Sequence, residues 1–189
     1  MDGVDINGMD EIGATPLLWA AVRGHEAMVM LLLGLNDVVP DRPGYNGQTP
    51  ISWAARNGHE AVVKLLLGQR DVDPDKADHT GRTPILWAAL NGHEVVVELL
   101  LGRKDMSSDR PYNGGYTPIL CAAANGHEAV VKLLLGRGDV NPDRVVWVDS
   151  VVRTPISWAA LNGHEAVVKL FLAIGIRLVV GTGSYPHRC

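Results

Sequence analysis

Five times along the chain, a short block of alanines and bulky apolar residues is followed by a polar break and then by a second apolar block ending in leucines. Residues 49–67 show the pattern. Pro50 to Arg56 carry Ile51, Trp53, Ala54 and Ala55; Asn57-Gly58-His59-Glu60 interrupt; and Ala61 to Leu67 resume with a single polar side chain, Lys64. Each block reads as one short helix. The threonine before each block offers an oxygen to the free amides of the first turn, and the proline after it is pre-set for helical φ. Gly58 supplies the backbone freedom that a helix end requires, and Glu60 places a carboxylate at the positive end of the second helix. Gly68 ends that helix, and the Pro, Gly, Asn and Asp between copies, as in Asp73-Pro74-Asp75 or Asn46-Gly47, predict turns and a projecting hairpin.

The Thr-Pro pair begins at Thr15, Thr49, Thr83, Thr117 and Thr154, so the spacings are 34, 34, 34 and 37 residues. Helices of this length are marginal alone, because nucleation is costly and few hydrogen bonds follow it. One copy also has apolar residues on too many sides for a single partner helix to seal. Stacking the copies with axes ~8–10 Å apart buries those sides continuously, which predicts a solenoid.

These copies resemble the ankyrin repeat, whose pattern Gly-x-Thr-Pro-Leu-His-x-Ala-Ala-x-x-Gly-His-x-x-Val-Val-x-Leu-Leu-Leu they follow over most of the chain. The variant with Trp in the first helix is similar to arrays in fungal multidomain receptor-like proteins. The resemblance implies an all-α repeat solenoid of five stacked helix-turn-helix units with projecting hairpin fingers. Residues 1–172 form the array, with repeat cores at 15–33, 49–67, 83–101, 117–135 and 154–172, and residues 173–189 form a flexible non-repeat tail. It also implies recognition of another protein through the concave face, with no catalysis and no cofactor.

The chain departs from the family pattern in several places. Leu18, Ser52, Leu86, Leu120 and Ser157 replace the usual first-helix histidine, so the bonds it makes between copies are expected to be absent or rebuilt with serine. The next position holds Trp19, Trp53, Trp87, Cys121 and Trp158; a ladder of buried tryptophans is expected there, each indole N–H needing a partner. Between copies four and five, three extra residues accompany the β-branched run Val145 to Val152, which reads as an extended hairpin packed on its neighbour or as a display of Trp147 to a partner. Met28 and Met30 in copy one, and the unmatched segment after copy five, leave both ends without the polar face of a sealing repeat. This motivates an alternative, a structural or self-associating fragment of a larger multidomain ankyrin protein.

Composition narrows the remaining classes. A formal charge of −4 without a run of Lys or Arg argues against nucleic acid as a partner. The longest apolar stretch, Leu170 to Gly181, is about half the ~20 residues that cross a bilayer and contains Arg177, so no membrane role is expected. Met1 to Glu11 hold four carboxylates and no positive side chain, unlike a secretory leader. With only Cys121 and Cys189, an intracellular and cytoplasmic location is expected. Each of the pairs beginning at His25, His59, His93, His127 and His164 is followed four residues on by valine, not by the second histidine a zinc-peptidase helix needs; they read as turn and helix-start residues. Cys121 reads as a buried structural thiol, Gly181 to Ser184 as tail, and Asp37, Asp71, Asp105 and Asp139 as acceptors for turn amides.

Positions that do not repeat are those free to specify a partner. Before the threonines these are Glu11, Ile12, Tyr45, Asn46, His79, Thr80 and Asn113, and immediately before them Ala14, Gln48, Arg82, Tyr116 and Arg153. At the end of the first helices come Arg23, Arg56 and Leu90. Together with Trp147 these are the expected contact residues. Tyr45, Tyr116, Arg56 and Arg82 are expected to carry most of the contact energy, because rigid aromatics and arginine dominate interface hot spots.

Overall fold

The computed structural model describes residues 5–103, 106–148 and 151–176, with the backbone alone at 147, 148 and 151. Each copy is a helix pair: α1 (Pro16–Arg23) with α2 (Glu26–Leu33), α3 (Pro50–Asn57) with α4 (Glu60–Leu67), α5 (Pro84–Asn91) with α6 (Glu94–Leu101), α7 (Pro118–Ala124) with α8 (Glu128–Leu135), and α9 (Pro155–Leu161) with α10 (Glu165–Ala173). Proline opens every first helix, as the sequence predicts. Threonine caps only some of them. Thr15, Thr49 and Thr154 accept from the amides of Leu18, Ser52 and Ser157. The hydroxyls of Thr83 and Thr117 are instead buried without a hydrogen-bond partner among the described residues, and nothing in the local geometry explains the difference.

First helices pack on first helices in the order α1, α3, α5, α7, α9, and second helices on second helices in the order α2, α4, α6, α8, α10. The all-α solenoid is therefore the observed fold. Alanine pairs such as Ala54-Ala55, Ala88-Ala89 and Ala122-Ala123 have no solvent exposure, which is how the first helices approach closely. One continuous core runs through the stack and includes Val63, Leu66, Val97, Leu100, Leu134 and Phe171.

Two ladders link successive copies, one of four histidine bonds and one of three ion pairs. His59, His93, His127 and His164 each place Nε2 3.0–3.1 Å from a carbonyl near the end of the preceding first helix: Val22, Arg56, Leu90 and Ala124 respectively. These rings lie where a Cβ would stand on Gly24, Gly58, Gly92 and Gly126; at Gly92 it would come 2.5 Å from His127 Nδ1, at a φ of 77°. The Gly-His step thus joins neighbouring repeats as well as starting a helix. The bonds expected of serine take another form: Ser52 and Ser157 bond the threonines of their own caps.

The second ladder is ionic. Asp41 meets Lys76 at 2.8 Å, Asp75 meets Arg110 at 3.7 Å and Asp109 meets Arg144 at 2.8 Å. Burial pushes the Asp41 and Asp75 carboxyls above the ordinary aspartate range, against the opposing pull of Lys76 and Arg110. At these two carboxyls desolvation thus outweighs the attraction, so the Asp41–Lys76 and Asp75–Arg110 pairs join neighbouring copies without adding much stability. Of the four expected turn acceptors, three are described, and one of them bonds a turn amide through its carboxylate. Asp139 Oδ2 accepts from Ser108 N of the preceding copy, Asp37 contributes its backbone carbonyl to Asn7, no side-chain bond of Asp71 to a turn amide is present among the described residues, and Asp105 lies outside them.

The connection between copies four and five is a hairpin. β1 (Val146–Val148) pairs antiparallel with β2 (Val151–Arg153), in the register Val146↔Arg153, Trp147↔Val152 and Val148↔Val151. Val146 is buried, so the ribbon packs on its neighbour. At the other boundary, α10 extends through Ala173, and Ile176 is buried with its amide on the Phe171 carbonyl. Residues 173–176, expected to be flexible tail, therefore belong to the packed array; the remainder of the expected tail lies outside the described residues.

Candidate functional site

The fingers and first helices form one face of the array, and aspartates build two of its fingers. Asp78 Oδ1 accepts from the amides of Thr80 and Arg82 and from the Thr80 hydroxyl, while Oδ2 accepts from Gln48 Nε2 and Trp87 Nε1. Burial pushes its carboxyl up, but these donors together outweigh burial and hold it below the ordinary range. Asp10 does the same work in the first finger, accepting from the amides of Ile12 and Ala14 and from Trp19 Nε1 at 2.8 Å. Two further fingers carry Gly44 and Tyr112 at the position of these aspartates, and Gly44 N donates to the Gln48 carbonyl. His79 N donates to the Asn46 carbonyl, and Tyr112 and Tyr116 pair by backbone and ring, their centroids 5.5 Å apart.

The tryptophans are not the uniformly buried ladder expected from the sequence. Trp87 is 6% exposed and Trp19 38%, with Trp53 and Trp158 between these extremes. They stand at the base of the fingers, interleaved with arginine. The Arg56 guanidinium lies 4.9 Å from the Trp53 ring centre and 4.5 Å from that of Trp87; Arg82 lies 4.8 Å from Trp87 and 5.0 Å from Tyr112; Arg153 lies 5.0 Å from Trp158. All fall within the ~6 Å over which a ring quadrupole attracts a cation. The Trp19 and Trp87 indoles find aspartate partners, whereas Trp158 Nε1 is buried without one among the described residues.

The predicted contact residues divide accordingly. Glu11, Ile12, Arg23, Tyr45, Asn46, His79, Thr80 and Asn113 are exposed. Arg56, Arg82, Leu90, Tyr116 and Arg153 are half-buried; the three arginines are already stacked on aromatic rings. Ala14 and Gln48 are 5% and 4% exposed, so neither stands on the open surface as expected: Ala14 is a wall of the slot described next, and Gln48 is a strut between two fingers. Trp147 has its backbone in β1, but the expectation for its side chain lies outside the described residues.

A slot of about 270 Å³ opens between the first two repeats, walled by Trp19, Val22, Trp53, Leu18, Tyr45 and Asn46. A smaller one of about 140 Å³ lies between repeats four and five beside Cys121 and Trp158. Burial pushes the Cys121 thiol up to about 12, so it stays protonated at neutral pH and inert as a nucleophile. Among the described residues, no group of three or more His, Cys, Asp or Glu is placed to hold a metal ion, and no helix is long and apolar enough to cross a membrane. Sequence reasoning missed the aspartate hubs, the arginine stacking and the ion-pair ladder. The signals were present: an aspartate nine residues before Trp19 and Trp87, and an acid-base dipeptide at Asp41, Asp75, Asp109 and Asp143, each 34 residues after the last.

Three overlapping segments, residues 2–78, 69–144 and 115–181, match the model of a family described as ankyrin repeats (3 copies). No curated protein matches the chain.

Proposed function

The chain belongs to the ankyrin-repeat family, and from that premise we propose that the face made by its fingers and first helices holds a partner protein. The observation that carries this reading is where variation falls. The second helices repeat almost unchanged, while exposed finger residues differ from copy to copy: Glu11, Tyr45, His79 and Asn113, each four residues before its threonine, stand on successive fingers. Contacts come from Glu11, Ile12, Tyr45, Asn46, His79, Thr80, Asn113 and Tyr116, with Arg23 and Leu90 at the first-helix ends. Arg56, Arg82 and Arg153 contribute from their stacked positions, which leaves little side-chain freedom to lose on binding. The protein acts as a scaffold, without chemistry of its own.

Photo-crosslinking tests this reading. A benzophenone side chain introduced at Tyr45 or Asn113 is expected to capture a partner in cell extract, and the same group at Lys64 or Lys132 on the second helices is not. Capture only from the second helices would overturn it. Self-association is the second reading, favoured by the exposure of Met28, Met30 and Leu31 at one end of the described stack and Leu161, Leu172 and Ile174 at the other. A mass that rises with concentration in sedimentation equilibrium would support it.

A further inference from the structure

The slot between Trp19 and Trp53 has an equivalent one repeat along that is already occupied. Between Trp53 and Trp87 the occupant is Arg56, seven residues after its threonine, with its guanidinium over both rings. The residue seven after Thr15 is Val22, too short to reach across, and the slot it leaves is lined largely by apolar atoms. We propose that this slot binds an arginine side chain of the partner polypeptide, which takes there the place that Arg56 takes between the next two tryptophans. The inference rests on the reading of this face as a protein-binding surface and names the chemistry recognised.

Size and charge both fit. About 270 Å³ is below the ~300–1,000 Å³ of clefts that take drug-sized ligands and suits one long side chain. Asp10 bonds the indole of the Trp19 wall, and that bond, followed by the Ala14 amide, holds its carboxyl below the ordinary range and hence ionised at neutral pH. Exposed Glu11 adds a second negative charge nearby. Trp53 would then have two guanidinium groups within stacking range, as Trp87 already has, with Arg56 at 4.5 Å and Arg82 at 4.8 Å. Among the described residues no cation is stacked over Trp19. The corresponding slot between repeats four and five is a poorer candidate, since Cys121 replaces one tryptophan wall and Arg153 already covers Trp158. A planar guanidinium stacks between two indoles in a way that a compact ammonium does not.

The test is an NMR titration of the tryptophan indole signals of the full chain with the capped peptide Gly-Ser-Arg-Ser-Gly and with its citrulline and leucine twins. The arginine peptide is expected to shift the Trp19 and Trp53 signals saturably, with both twins at least tenfold weaker. Val22→Arg, which supplies an internal occupant, should weaken the arginine peptide at least tenfold while its thermal unfolding stays at or above that of the parent chain; Val22→Ile should not weaken it. Equal binding of the leucine twin, no shift at either indole, or undiminished binding to a folded Val22→Arg would each overturn the proposal. If the crosslinks at Tyr45 and Asn113 form and the titration fails, the face stands and the arginine slot falls; if neither is seen, the face falls with it.

Discussion

The second helices and the fingers of the same repeats follow opposite rules. In α4, α6 and α8 the inward positions are nearly constant and fully buried, as with Val63, Leu66, Val97, Leu100, Val131 and Leu134. In the fingers, equivalent positions change residue, exposure and partner: one finger is organised by the Asp78 carboxylate, another by the Tyr112–Tyr116 pair. Stability here is a neighbour-to-neighbour property of the repeated layer. The varied layer is thereby free to be specified by something outside the fold.

Substitution should expose that division most sharply in the core. Leu100→Ala removes a side chain with no exposure and should lower the unfolding free energy by about 2–5 kcal/mol in urea titrations. Ile12→Ala on the first finger should change it by less than about 0.5 kcal/mol. Comparable losses would mean that the fingers are as structural as the core. The junctions come next. Gly92→Ala meets both a positive φ and the His127 ring, and should cost upwards of about 2 kcal/mol. Gly163 has the same φ of 77° but nothing within 4 Å of a would-be Cβ, so Gly163→Ala should cost only the backbone strain, roughly 1 kcal/mol. Equal effects would remove the histidine seat from the account.

The caps give a smaller contrast of opposite sign. Thr49→Val loses the bond to Ser52 N and should destabilise by about 1 kcal/mol. Thr83→Val removes a buried hydroxyl that has no partner among the described residues and should stabilise by a similar amount, about 1 kcal/mol. Asp78 adds a pH signature. Its folded carboxyl lies below the unfolded value of about 3.9, so its stabilisation is present above that pH and is lost as pH falls through the folded value. Unfolding of Asp78→Asn, compared with the parent chain between neutral pH and acid, should therefore show a smaller loss on acidification. At the surface, Lys132→Gln breaks a solvent-exposed pair with Glu128 and should register at no more than about 0.5 kcal/mol.

Much of this was legible in the sequence, because repetition is a long-range signal that survives local ambiguity. The proline at each helix start, the left-handed glycine at Gly58 and the buried thiol of Cys121 follow from residue chemistry at fixed positions. What was hidden depends on partners in the next copy. Reading His59 as a helix-start residue was sound, but its bond to the Val22 carbonyl spans 37 residues. Arg56 and Arg82 looked free as sequence, but the period brings a ring of the next copy to each, Trp87 at 4.5 Å from Arg56 and Tyr112 at 5.0 Å from Arg82. Gln48 looked variable and exposed, and is buried because Asp78 needs its amide. The Val146–Arg153 ribbon is a local pattern, which is why an extended hairpin was a natural expectation there.

Affinity capture with two opposed sets of substitutions tests the division of labour most directly. One variant combines Ile12→Ala, Tyr45→Ala and Asn113→Ala on the fingers; the other combines Lys64→Ala, Glu98→Ala and Lys132→Ala on the second helices, all exposed positions. The account predicts that protein retained by the parent array is lost from the first variant and kept by the second, with both unfolding like the parent. Loss from the second variant with full retention by the first would contradict it.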